Sequence, residues 1–208
     1  ANRPVCFKNS RRDATLLGVS LMAGLLQGRG GYLARARERV PLQLHRAAEN
    51  FLDDAFMERL GRGDPRGFGQ SGRYVLLELP FASAVPRLPD LVFRVKLKGH
   101  SPVFAHPERC LEFERPGRAE EVVRLGAALQ LDLGTLLGRY GRVPRRVAER
   151  LLDAGLYAVA ATDLHGPAEA RRWVAEAHRE LSRRAGDEAA ARLLGDNPRR
   201  VLGGEELS

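Results

Sequence analysis

The chain has 208 residues, 44% hydrophobic and 29% charged, which suits one large or two small globular domains and excludes fibrous and disordered classes. No apolar run reaches the ~18 residues of a membrane-spanning helix, so no membrane insertion is expected. The net charge is +8, but only Lys8, Lys96 and Lys98 of the 34 basic residues are lysines. That arginine bias is as much the mark of a GC-rich genome as of a polyanion partner, and the Arg pairs are scattered along the chain. They read as solvated helix faces, and nucleic-acid binding is not expected.

Cys6 and Cys110 are the only cysteines. Two thiols so far apart exclude a disulfide scaffold and a zinc site of paired thiolates, and they fit a reducing cytoplasm. The first thirty-one residues lack a secretory signal pattern, and the missing initiator Met points to a processed, trimmed or incomplete chain. Cys6 and Arg12 have the Cys-x5-Arg spacing of thiolate phosphatases. Glycine and a preceding buried strand are absent there, and with so many arginines the match is read as a coincidence.

In chain order, residues 14–27 predict a helix buried against a sheet, residues 28–31 a Gly-rich break and residues 32–39 a second helix. From about residue 40 to residue 185, short apolar segments alternate with stretches of helical periodicity, the pattern of parallel β/α units. Strands are predicted at 40–44, 74–79, 102–105, 128–133 and 157–161, each too short and too continuously apolar for a surface helix. Helices are predicted at 53–60, 88–98, 119–125, 144–154 and 168–185, with Gly126 and Gly155 as stops. Residues 61–72 (GRGDPRGFGQSG) form a loop. The fold class is α/β.

In such folds the chemistry gathers past the carboxyl ends of the strands. Those positions hold Glu49; Pro80 and Phe81; His106, Glu108 and Arg109; and Asp163 and His165. Glu49, His106, Asp163 and His165 carry the oxygen and nitrogen donors that suit Mn, Zn or Fe, and the i, i+2 spacing lets Asp163 and His165 point the same way. The alternative is that each histidine only satisfies local hydrogen bonds. Arg109 is placed to grip phosphate through a planar fork, the alternative being an ion pair with Glu108 or Glu112. His45 and His100 hold weaker positions, structural or adjoining the ligands, and His178 is expected to face solvent.

The segments RYVLLELP (73–80), PVFAHPER (102–109), GTLLGRYG (134–141), ATDLHG (161–166) and NPRRVLGGE (197–205) resemble, in this order, the bacterial manganese-dependent protein tyrosine phosphatases of the polymerase and histidinol phosphatase (PHP) superfamily. Those proteins are found in capsule and exopolysaccharide operons. The resemblance covers about residues 32–206 and divides the chain into a divergent segment, 1–31, and a PHP-like phosphoesterase domain, 32–208. It implies a distorted barrel of parallel β/α units, a cluster of manganese ions and a phosphotyrosine protein as substrate, namely a tyrosine autokinase. It also implies Glu49, His106, Asp163 and His165 as metal ligands, His106 and Arg109 as catalytic residues, and Arg109 with Arg171 or Arg172 as substrate-binding residues.

The family's opening His-x-His segment has no counterpart, because the first histidine is His45. The front of the barrel is therefore missing or replaced by residues 1–31, and its open sheet edge must be covered by another segment or by a second subunit in a homo-oligomer. The chain is expected to be either a truncated form of an active phosphatase or a degenerate member that binds without catalysis. A phosphoesterase acting on another phosphate ester is a further alternative.

Overall fold

The computed structural model describes residues 3–6, 8–9, 19–20, 43–44, 47–164 and 167–208, with side chains described over 47–164 and 172–208. His45, His165, the side chain of Arg171 and the helix expected at 32–39 lie outside the described residues.

Five parallel strands carry the fold: β5 (Ala47–Phe51), β6 (Tyr74–Glu78), β7 (Ser101–Ala105), β8 (Ala128–Asp132) and β9 (Val159–Ala161). They pair in sequence order. On the outer edge, β1 (Arg3–Cys6) runs antiparallel to β5, and β3 (Val19–Ser20) antiparallel to β1. The sheet has seven strands and, among the described residues, does not close. A two-stranded ribbon of β2 (Lys8–Asn9) and β4 (Gln43–Leu44) stands apart.

The N-terminal segment thus covers the β5 edge with antiparallel strands, which meets the need to shield that edge within one chain. Two expectations change. Val19–Ser20 is strand, not part of a helix over 14–27. The first parallel strand is Ala47–Phe51, not 40–44, so Glu49 sits inside a strand and not past its end. Lys8–Asn9, within the Cys-x5-Arg stretch, is likewise extended and paired with Gln43–Leu44.

The connecting helices form where amphipathic periodicity requires them. Helix α1 (Asp54–Gly61) starts at Asp53, whose carboxylate accepts the Phe56 amide at 2.7 Å. Helix α2 (Leu88–Leu97) precedes β7. A 3-10 turn (Pro107–Arg109), α3 (Leu111–Glu114) and α4 (Arg118–Arg124) lead to β8. Then come α5 (Leu133–Leu136), α6 (Arg142–Asp153), the long α7 (Pro167–Ala185), α8 (Asp187–Ala191), a π-turn (Arg192–Asp196) and α9 (Asn197–Gly203). Val147, Ala148, Leu151 and Leu152 give α6 one buried stripe, each leucine contributing roughly 1.5–3 kcal/mol of burial. Gly126 and Gly155 adopt positive φ (88° and 66°) just past α4 and α6, where a side chain would strain the turn.

Period-two alternation sorts the strand residues onto two faces. Val75, Leu77, Phe104, Leu129, Leu131 and Ala160 enter the large core beneath the helices. Leu76, Val103, Ala105, Ala128 and Val159 face the other way, against Phe68 from the 61–72 loop and Val201 from α9. Both faces are covered, as a parallel sheet requires. The second face carries the polar residues at the carboxyl ends.

Candidate metal and phosphate site

Continuing that parity, Glu49 pairs in register with Leu76, and Glu78 follows Leu76 by two residues. The same step carries Gln130 to Asp132 on β8 and Ala161 to Asp163 beyond β9. Backbone turns finish the placement. His106 and Asp163, both just past strand ends, sit in the left-handed region (φ 33° and 42°). For residues other than glycine this costs roughly 1–3 kcal/mol and is tolerated chiefly at functional sites.

The result is a buried cluster. His106 Nε2 lies 3.0 Å from Glu49 Oε1 and 3.7 Å from Glu78 Oε1. His106 and Glu49 are 1% and 3% exposed. One ligand atom from each of the three residues falls within 4.8 Å of the others. Three residues on, the Arg109 guanidinium donates Nη1–H to Asp163 Oδ2 at 3.0 Å and to Asp132 Oδ2 at 3.3 Å. Its carbon lies 4.8 Å from the Phe81 ring centroid and 4.2 Å from that of Tyr140.

Behind Arg109, Glu108 is fully buried. Its Oε1 accepts the Asp132 amide and its Oε2 accepts the Tyr157 hydroxyl, both at 2.9 Å. Neither acidic neighbour pairs with Arg109 as the alternative reading held: Glu108 is engaged as described, and Glu112 pairs with Arg118 at 2.6 Å and accepts the Val85 amide.

Glu49, Glu78, Glu108, Asp132 and Asp163 together outnumber the cations His106 and Arg109. Burial, reinforced by the neighbouring carboxylate of Asp132, pushes Glu108 up to about 7. Burial and Asp163 push Asp132 up to about 6. Burial alone would lower the His106 imidazole, but Cys110 and the Glu49 carboxylate hold the proton on it and raise it to about 10. Such a surplus of buried negative charge calls for a compensating cation. Two carboxylates and one imidazole at these distances are a donor set for a divalent first-row metal, so the residues fit such an ion. An ion held there would displace the His106 proton.

Of the residues singled out from sequence, Glu49 and His106 meet directly, while Arg109 and Asp163 meet each other beside them. Asp163 pairs with Arg109, and among the described residues the three whose ligand atoms converge are Glu49, Glu78 and His106. His100 lies elsewhere, its Nδ1 2.9 Å from the Gly72 carbonyl, and His178 is half-buried on α7. Glu78 and Asp132 were missed. Each is the last residue of its strand, and the i, i+2 rule applied to Leu76 and Gln130 would have found both.

A family model described as capsular polysaccharide synthesis, CpsB/CapC, matches residues 32–203. The chain belongs to the CpsB/CapC family. It is 40% identical over 95 residues to the tyrosine-protein phosphatase YwqE of Bacillus subtilis (strain 168), across 45% of this chain and 37% of that one. The fold is similar to a chain from the crystal structures of YwqE from Bacillus subtilis and CpsB from Streptococcus pneumoniae, described as unique metal-dependent tyrosine phosphatases. There the TM-score is 0.64 and the identity 29%, covering 76% of this chain and 63% of that chain. The matches thus span less than two thirds of these CpsB/CapC relatives. The α/β class with an open parallel sheet agrees with the fold expected from sequence.

Proposed function

We propose that the chain hydrolyses phosphotyrosine on a protein substrate with the help of a divalent metal, in the regulation of capsular or exopolysaccharide synthesis. The observation that carries this reading is the Glu49–Glu78–His106 group beside a guanidinium on one rim of a CpsB/CapC fold. Glu49, Glu78 and His106 would hold the ion, with Asp163 and His165 as further ligands. Manganese is the proposed metal.

A metal so held supplies a lowered pKa for the attacking water and positive charge against the phosphoryl oxygens. Arg109 binds the non-bridging oxygens and neutralises charge that builds on them, with Asp132 and Asp163 fixing its orientation. Arg171 is proposed as a second substrate-binding arginine. The attack is in line, the P–O bond to the phenol breaks, and no phosphoenzyme forms. The proposed substrate is a tyrosine autokinase in the cytoplasm, and a second copy of the chain is proposed as an assembly partner.

The test is turnover of a phosphotyrosine peptide with added Mn2+. The wild type is expected to hydrolyse it, His106→Ala to be inactive, and Arg109→Met to lose about 10²–10³-fold. Equal rates for wild type and His106→Ala would exclude the metal reading, and an inactive Cys6→Ser would favour a thiolate mechanism. Stoichiometric phosphopeptide binding without turnover would identify a non-catalytic binding module.

A further inference from the structure

Phe81 and Tyr140 come from separate segments, the stretch after β6 and the turn between α5 and α6. Both nevertheless meet at Arg109, at 4.8 and 4.2 Å. The Phe81 ring also lies 5.5 Å from the His106 ring, tilted by 55°, so it borders both halves of the site. Tyr140 is presented between Gly138 and Gly141, whose φ of 75° and 98° bend the chain there, and its hydroxyl donates to Asp132. The groups beneath are buried, yet Phe81 remains 43% and Tyr140 36% exposed.

A phosphomonoester whose phosphate reaches Arg109 must project its ester substituent outward past these two rings. We infer that Phe81 and Tyr140 are specificity-determining residues, forming aromatic walls that select phosphate esters of a planar aromatic alcohol over those of an aliphatic one. This deepens the phosphatase reading and rests on it. Offset or edge-to-face contact with a phenyl ring adds stabilisation that an alkyl chain cannot obtain, enough for roughly a two- to tenfold preference. The rings would bind the leaving group and leave bond cleavage to the groups below.

The probes are phenylphosphonate and ethylphosphonate, titrated calorimetrically into the full chain with Mn2+. Phosphonates are not hydrolysed, so a failure of phosphotyrosine turnover removes the phosphatase reading without deciding this measurement. The wild type is expected to bind phenylphosphonate about tenfold more tightly. Phe81→Leu and Tyr140→Leu keep apolar bulk and are expected each to shrink that preference to about threefold or less, phenylphosphonate losing more affinity than ethylphosphonate. Tyr140→Phe is expected to retain it. Equal weakening of both phosphonates would mean that the rings act only by placing Arg109 and would overturn the inference. So would an unchanged preference in both leucine variants, or no phenylphosphonate binding by the wild type.

Discussion

Tyr157→Phe removes one oxygen from the buried support of the site and leaves the ring in place. Tyr157 is 5% exposed and packs in the main core, with its hydroxyl donating to Glu108 Oε2 at 2.9 Å. The other oxygen of Glu108 accepts the Asp132 amide, and Asp132 in turn receives Arg109. The substitution opens no side-chain-sized cavity, so the loss is that of a hydrogen bond to a buried carboxylate, roughly 1.5–3 kcal/mol when the acceptor is ionised and about half that when it is neutral. With Glu108 raised to about 7, the penalty is expected to be near 2 kcal/mol at pH 8 and near 1 kcal/mol at pH 5.5. For a chain of this length, 2 kcal/mol lowers Tm by roughly 4–8 °C. Urea unfolding at the two pH values, in chelator, measures both numbers. A penalty below about 0.5 kcal/mol at pH 8, or one larger at pH 5.5, would refute the hydrogen-bonded support of Glu108.

Asn50 is fully buried, with Nδ2 at 3.2 Å from the carbonyls of Ala48, Pro65 and Leu76 and Oδ1 accepting Arg59 at 3.0 Å. Asn50→Ala should therefore destabilise by roughly 2–4 kcal/mol in denaturant unfolding, and a loss under about 1 kcal/mol would contradict its role in fixing β5 beside Glu49. Because burial raises Glu108 above its ordinary carboxylate value, its contribution to stability is fully present below about pH 4.5 and lost as pH rises through about 7. Glu108→Gln, neutral throughout, should gain up to about 3 kcal/mol on the metal-free wild type across that window. Parallel stability curves for the two proteins would rule this out.

The parallel β/α register was legible because β6 and β7 are almost wholly apolar on both faces and β8 sends Leu129 and Leu131 into the core. The end-of-strand rule located His106, Arg109 and Asp163, since chain reversal past a strand places polar groups where only one rim can receive them. It failed at β5, where Ala47–Phe51 buries Glu49 and Asn50. An apolar-run criterion cannot see a strand whose buried positions include a carboxylate and an amide. It also passed over Glu78 and Asp132, because a carboxylate closing an apolar run looks like a solvent boundary until its parity is followed. The antiparallel cover of the β5 edge left no signal, since Arg3–Cys6 and Val19–Ser20 are too short for periodicity to register.

The central claim is that Glu49, Glu78 and His106 hold a divalent cation together. Elemental analysis of the purified chain after Mn2+ loading and desalting tests it most directly, with Glu78→Gln and His106→Ala beside the wild type. At least one equivalent per wild-type chain, lost in both variants while their folds persist, is the expected result. Equal metal content in all three proteins, or none in the wild type, would contradict it.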